Sequence, residues 1–152
     1  MNPLKILNEL SLDNLRKKFP SVPEHALPEF NYSDKDANGL TKCVIDFLTL
    51  KGHYAVRINT QGQYNERLKA WTKSTTRLGT SDVHSCIFGK HLSVEIKFGK
   101  DQLSEHQKAT RNDIILSGGF YFVAKNFESF YSWYNELEQA LSEKKTPEVV
   151  VI

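Results

Sequence analysis

The stretch that decides the fold is DVHSCIFGKHLSVEIKF, residues 82–98. Apolar and polar residues alternate on both sides of Gly89-Lys90, a pair that suits a two-residue type II′ turn because its glycine comes first. The pattern therefore predicts an antiparallel hairpin whose register sets Asp82 opposite Lys97. Because side chains alternate between the two faces of a strand, one face of this hairpin is mostly apolar and the other is polar.

The polar face of the predicted hairpin gathers Asp82, Glu95 and Lys97. In that register Asp82 and Glu95 are diagonal neighbours, about 7–8 Å apart, so both carboxylates can reach one ion. Magnesium prefers oxygen ligands and keeps several waters, and the carbonyl of Ile96 is a candidate third ligand. Lys97 is placed to orient a water or to stabilise charge on a phosphate. The alternative is an ordinary surface salt bridge between Asp82 and Lys97, which contributes little to stability.

Hydrophobic periodicity places further helices and strands around the hairpin. The predicted elements are helices over 36–51, 104–116 and 127–141, and strands over 54–59 and 120–124. A strand, a helix and a second strand form a right-handed crossover unit, so we expect strand 120–124 to run parallel to the second hairpin strand. The sequence thus predicts an α/β domain with a mixed β-sheet flanked by helices.

Proline content and periodicity divide the chain into three parts. Residues 1–33 are interpreted as an accessory N-terminal arm, with a short helix from about Ser11, as N-cap, to Lys18 before three prolines break the structure. We expect this arm to pack on the main body, the alternative being an oligomerisation or tethering segment. The main domain spans 34–143. The tail, 144–152, ends in the β-prone EVVVI, either an edge strand or a loose end.

Composition excludes several classes of protein. The chain has 152 residues, of which 39% are hydrophobic and 25% charged, which suits one globular domain. No apolar run reaches the roughly 18 residues that span a bilayer, and the first residues lack the apolar block of a secretory signal. The two cysteines, Cys43 and Cys86, match no zinc-binding spacing. We therefore expect a cytoplasmic protein with no membrane contact.

A polar, glycine-punctuated segment over 60–81 leads directly into Asp82, and we interpret it as a long loop. Residues 51–80 contain six basic residues and a single acid, with Tyr64 and Trp71 interleaved among them, although the net charge of the whole chain is only +2. Basic side chains contact phosphates and aromatic rings stack on exposed bases. The candidate nucleic-acid-binding residues are Arg57, Arg67, Lys69, Trp71, Lys73, Arg77 and Lys100. The alternative is a solvated loop whose Trp71 packs on the core.

Four segments, in order and at the expected spacing, resemble the VRR-NUC branch of the PD-(D/E)XK nucleases. They are GTSD (79–82), EIK (95–97), KDQLSEHQ (100–107) and GGFYFVA (118–124). The resemblance covers about residues 36–134 and implies a restriction-endonuclease-like core. It also implies that Asp82 and Glu95 are metal ligands, that Lys97 is the catalytic lysine and that Gln107 is the family's helix glutamine. Gln107 also completes the capping-box pattern that begins at Ser104, a role that does not exclude the other.

The resemblance implies a function as well. It implies a Mg²⁺-dependent DNA endonuclease, in which Mn²⁺ substitutes, acting as a homodimer on branched DNA such as four-way junctions in a bacterial or phage-infected cell, with no small-molecule substrate. The predicted helix over 36–51 departs from the family, because Asn38, with Asp36 nearby, stands where a metal-assisting glutamate is often found. The alternatives are a catalytically inactive nuclease-fold module that binds DNA, or a protein-interaction domain.

Overall fold

The computed structural model of the chain describes residues 2–59 and 62–144. Its helices are α1 (Pro3–Lys18), a short 3₁₀ helix (Glu24–Ala26), α2 (Ala37–Leu50), α3 (Glu105–Leu116) and α4 (Phe127–Lys144). Its strands are β1 (Tyr54–Arg57), β2 (Gln63–Asn65), β3 (Ala70–Thr72), β4 (Val83–Ile87), β5 (Lys90–Ile96) and β6 (Phe120–Ala124). The prediction of a β-strand or a loose end within 144–152 falls outside the described residues. No described helix has the length and apolarity needed to cross a membrane.

The central sheet has four strands in the order β1-β4-β5-β6. Strands β1, β4 and β5 are antiparallel neighbours, whereas β6 runs parallel to β5, with Leu92 opposite Phe120. Helix α3 connects these two parallel strands, as the crossover unit predicts. The structure therefore confirms the predicted class, an α/β fold whose mixed sheet is flanked by helices.

The hairpin register differs from the predicted one. Val83 lies opposite Val94, and the turn is formed by Phe88 and Gly89 rather than by Gly89-Lys90. Both central residues have positive φ, 50° for Phe88 and 76° for Gly89, which is the type I′ geometry. The prediction placed the glycine first in the turn, as type II′ requires, but the chain places it second.

The change of register moves cross-strand partners by two residues and so leaves every side chain on its predicted face. Continued by one residue beyond β4, the observed register brings Asp82 opposite Glu95 instead of Lys97. The left-handed conformation of Phe88 costs roughly 1–2 kcal/mol, and its ring is held by contacts with His53 and Tyr134. Packing of this aromatic ring on the core thus offsets the strain of the turn.

One face of the sheet carries the hydrophobic core. Val83 and Val94 on this face are fully buried, and helices α2 and α4 pack over it. At the centre, the ring of Phe47 in α2 makes edge contacts with the aromatic residues of α4. These partners include Phe127, Phe130 and Tyr134, the start of the apolar stripe predicted for this helix. The opposite, polar face of the sheet is therefore the face on which α3 and the candidate catalytic residues lie.

The N-terminal arm contains a longer helix than the sequence predicted. Helix α1 begins at Pro3, and the side chain of Asn2 accepts a hydrogen bond from the Leu4 amide at 2.9 Å. Ser11 is therefore inside the helix rather than its N-cap. The stronger start signal is the N-cap Asn2 followed by proline, a residue favoured at the first helical position. The arm packs on α2 and α4 and buries Leu7 completely.

The segment predicted as a long loop contains a second hairpin. Strands β2 and β3 pair antiparallel, with Tyr64 opposite Trp71. We call residues 62–73 the basic hairpin, since Arg67, Lys69 and Lys73 project from it and all three are exposed. The prediction of an unstructured loop is therefore wrong for this part of the segment. The strands have only three residues each, too few for alternation to stand out from the surrounding polar residues.

Candidate functional site

The carboxyl ends of β1, β5 and β6 and the start of β4 meet at one edge of the sheet. Asp82 comes directly before β4, and its carbonyl accepts a hydrogen bond from the Ile58 amide at 2.8 Å. Lys97 comes directly after β5, and its amide donates to the Ala124 carbonyl at 2.9 Å. The backbone that carries both side chains is thus held by the neighbouring strands, which gives the site a rigid support.

Asp82 lies directly beside the strand that carries Glu95. Its Oδ2 atom accepts a hydrogen bond of 2.9 Å from the backbone amide of Ile96. This bond crosses from β4 to β5 and fixes the Asp82 carboxylate next to the Glu95 position. A carboxylate has about four lone-pair positions, so Asp82 retains acceptor capacity for a further partner. The structure therefore brings the two predicted carboxylates together at one edge of the sheet.

Glu95 is buried, with 3% of its surface exposed. Its Oε1 atom lies 3.4 Å from Lys97 Nζ and accepts a short hydrogen bond from the side-chain amide of Gln107. Its Oε2 atom is buried and has no hydrogen-bond partner among the described residues. Burial raises the pKa of Glu95 to about 7, and the charge of Asp82 adds to that rise, while Lys97 and Gln107 act in the opposite direction.

Gln107 makes the contacts of both predicted roles: it completes a capping box at the start of α3 and reaches the candidate site. Its side-chain Oε1 atom accepts a hydrogen bond from the backbone amide of Ser104 at 3.0 Å. The backbone amide of Gln107 donates to Ser104 Oγ at 3.2 Å, which completes a capping box. Its Nε2 atom donates to Glu95. The first turn of α3 is thereby connected directly to the buried carboxylate.

Two residues that sequence reasoning did not select, Tyr121 and Ser81, face the same site. Tyr121 on β6 pairs with Ser93, and its hydroxyl is buried without a hydrogen-bond partner among the described residues, as is Ser81 Oγ. Burial raises the pKa of Tyr121. The charges of Glu95 and Asp82 also raise it. The parallel register of β5 and β6, had it been derived, would have identified Tyr121.

Helix α2 does not bring a third carboxylate to this site through Asp36 or Asn38. Asp36 is the N-cap of α2 and accepts a hydrogen bond from the Gly39 amide at 2.8 Å. Asn38 accepts a hydrogen bond of 2.9 Å from the guanidinium of Arg57, one of the predicted phosphate-binding residues. Arg57 is thus oriented by α2 at the end of β1, in the strand next to Asp82.

The remaining predicted nucleic-acid-binding residues lie on exposed surface. Arg77 forms an ion pair with Asp113 of α3, and Lys100 follows β5 on the surface. Trp71 on the basic hairpin is 74% exposed and makes an edge contact with Tyr64, with ring centroids 5.8 Å apart. The alternative interpretation, that Trp71 packs on the core, is therefore wrong.

A metal ion at this site would have few protein ligands. Within the described ranges, no group of three or more His, Cys, Asp or Glu side chains is placed to hold a metal. The pair Asp82 and Glu95, with the Ile96 carbonyl predicted as a third ligand, is compatible with magnesium, which commonly binds through one or two carboxylates plus waters and phosphates. The buried, unpartnered Oε2 atom of Glu95 is the observation that favours a cation here.

Comparison with known proteins gives no identification: no protein-family model matches the chain, and no curated protein matches it.

Proposed function

We propose that the protein is a Mg²⁺-dependent DNA endonuclease of the PD-(D/E)XK type, similar to the VRR-NUC branch, with a restriction-endonuclease-like core. The observation that carries this proposal is the state of Glu95. Its carboxylate is almost fully buried beside a second carboxylate, has one oxygen without a partner in the described chain, and has a pKa raised to about 7. Such an arrangement is unfavourable without a cation, and perturbed carboxylates of this kind cluster at functional sites.

Asp82, Glu95 and the Ile96 carbonyl are the groups that would hold the ion. A bound Mg²⁺, or Mn²⁺ in its place, supplies Lewis-acid activation of water and neutralises charge on the phosphate. The raised pKa of Glu95 fits this assignment, because a cation favours the ionised form that the free site disfavours. Gln107 keeps the carboxylate in one orientation through its hydrogen bond to Oε1.

Lys97 is the group placed to act on the reacting phosphate. Its ammonium lies 3.4 Å from Glu95 Oε1, and only 15% of the side chain is exposed. A charge that is shielded from water in this way interacts strongly with the negative charge that develops on phosphate oxygens. In the reaction, a water oxygen releases a proton to solvent and bonds to phosphorus, the bond from phosphorus to the leaving deoxyribose oxygen breaks, and that oxygen takes up a proton from solvent.

The charged surface around the site supports nucleic acid as the substrate. The basic hairpin and Arg57, at the end of β1, supply positive charge for the phosphate backbone. Phosphate contacts position a strand without reading its sequence, so we propose recognition by backbone and shape, with branched DNA as the preferred substrate. Cutting both strands of a symmetric junction requires two sites, and a homodimer provides them.

The test is a cleavage assay with single-stranded, duplex and four-way-junction DNA in Mg²⁺, Mn²⁺ or EDTA. We expect cleavage with either metal, none in EDTA, and a loss of at least about 100-fold in Asp82→Ala and Lys97→Ala, since each removes a group that acts on the reacting phosphate or its metal. Asp13→Ala, which breaks an exposed ion pair with Arg16 in helix α1, is the matched control and should cut at the parental rate.

Parental cutting by Asp82→Ala or Lys97→Ala would refute the site. DNA binding that persists in EDTA, with no cutting in either metal, would indicate the inactive DNA-binding module instead. Absence of any salt-sensitive DNA binding would leave the protein-interaction domain as the better description.

A further inference from the structure

A cavity of about 680 Å³ lies between the basic hairpin and the N-terminal end of α3. Trp71 and Lys73 line it on the hairpin side, Arg77 and Gly79 on the segment that follows, and Gln107 on the helix side. Ligand sites typically occupy about 300–1,000 Å³, so the cavity is large enough for a nucleotide. None of the roles discussed above requires this space.

We propose that this cavity receives one unpaired nucleotide of the DNA substrate, with its base stacked on Trp71 and its phosphates near Lys73 and Arg77. The proposal rests on the proposed function and deepens it: the substrate has at least one unstacked nucleotide beside the scissile phosphate. The preferred structures would therefore be junctions, flaps or gaps rather than continuous duplex, because a base inside a duplex is not free to stack on protein.

The aromatic and charged residues around the cavity match the chemistry of a nucleotide. Trp71 is 74% exposed although it is large and apolar, and Tyr64 supports its ring at the edge. An exposed aromatic ring among basic side chains is the arrangement that single-stranded nucleic acids stack on. Lys73 and Arg77 supply the positive charge for the backbone of the same nucleotide.

The wall of the cavity is built by a close approach of two segments. A Cβ atom added at Gly79, which has φ of 83°, would lie 2.3 Å from the His106 carbonyl oxygen, so a side chain at this position would collide with the first turn of α3. On the hairpin side, a Cβ atom at Gly62 would lie 2.4 Å from the Thr72 carbonyl oxygen. Two glycines thus allow the backbone packing that shapes the space.

Gln107 connects this cavity with the candidate catalytic site. Gln107 lines the cavity, and its side-chain amide donates a hydrogen bond to the Glu95 carboxylate. A nucleotide bound in the cavity therefore lies directly next to the site where the phosphate would be cut. The unpaired nucleotide is therefore next to the scissile phosphate along the substrate strand.

The test measures binding separately from cleavage, in EDTA, by tryptophan fluorescence. The chain has two tryptophans; Trp133 packs against Phe122 and Phe130, so Trp71 is the exposed reporter. We expect oligo(dT) and flapped duplex to quench the emission, and blunt duplex to quench it much less. By anisotropy of labelled oligo(dT), Trp71→Ala should bind roughly 5- to 150-fold more weakly, the loss of one base stack. Tyr54→Ala, an exposed aromatic residue outside the cavity, should bind as the parent does.

The outcomes separate the two proposals. Quenching at Trp71 without any cleavage in Mg²⁺ refutes the proposed function and leaves the nucleotide site in place. Cleavage of DNA by a Trp71→Ala protein that also binds oligo(dT) at parental affinity refutes the nucleotide site alone. Equal quenching by thymidine monophosphate at the same nucleotide concentration would overturn the assignment to a DNA strand and point to a free nucleotide.

Discussion

Replacement of Glu95 by glutamine should change the pH dependence of stability in a defined way. The folded protein raises the pKa of this carboxyl from 4.5 to about 7, mainly through burial and the charge of Asp82. A raised carboxyl pKa means that the folded state binds the proton more tightly than the unfolded state does. The stabilisation is therefore complete below pH 4.5 and is lost as the pH rises through 7.

The magnitude follows from the shift. Each pKa unit corresponds to 1.36 kcal/mol, so a rise from 4.5 to about 7 corresponds to a loss on the order of 3 kcal/mol between pH 4 and pH 8. Glu95→Gln keeps the shape of the side chain but has no proton to release in this range. The free energy of unfolding of the parent, minus that of the variant, should therefore fall by about 3 kcal/mol over these four pH units.

Urea unfolding at several pH values in EDTA measures this difference. Subtraction of the variant curve removes the contributions of His53, His84 and His91, whose pKa values are lowered by burial and which act in the opposite sense. Glu128→Gln is a matched control, because it changes an exposed carboxyl and should leave the parental pH dependence intact. Parallel curves for the parent and Glu95→Gln would show that the Glu95 pKa is not raised and would remove the main support for the metal site.

Three further substitutions test other contacts. Lys97→Met removes the ion pair with Glu95, so the midpoint of the pH dependence measured above should move to higher pH; an unchanged midpoint would contradict the 3.4 Å contact. Gln107→Ala removes both the side-chain part of the capping box with Ser104 and the hydrogen bond to Glu95. It should lower the free energy of unfolding measured in urea by about 0.5–2 kcal/mol and should also slow cleavage. Loss of stability without slower cleavage would limit Gln107 to capping. Leu7→Ala should cost about 2–5 kcal/mol, because Leu7 is fully buried against the main body, and a cost below 1 kcal/mol would show that the arm is not part of the core.

The sequence predicted the elements around the site well, because their signals are local. Ser104 and Gln107 mark the start of α3 by a capping box, and the boundaries of β6 agree with the apolar run that follows Gly119. The faces of the hairpin were also predicted, since alternation along a strand fixes which side chains share a face. Glu95 and Asp82 are accordingly found together.

The hairpin register was less predictable because it depends on the turn type. Phe88 adopts a left-handed conformation that its own residue type disfavours, and its packing against His53 and Tyr134 offsets that cost. The basic hairpin was missed because its short strands show no apolar face. The Trp71 orientation and the adjoining cavity depend on long-range contacts, such as the one at Gly79, that no local pattern encodes.

The capping box at the start of α3 has a consequence for which amino acids position 107 can hold. Capping boxes are completed by either glutamate or glutamine. At this helix start, glutamate would add another carboxylate beside Glu95, in addition to Asp82, and would lose the amide that donates to Glu95, whose pKa is already high. Of these two residues, therefore, only glutamine both caps helix α3 and donates a hydrogen bond to Glu95. Gln107→Glu should leave the helix intact but favour the protonated form of Glu95.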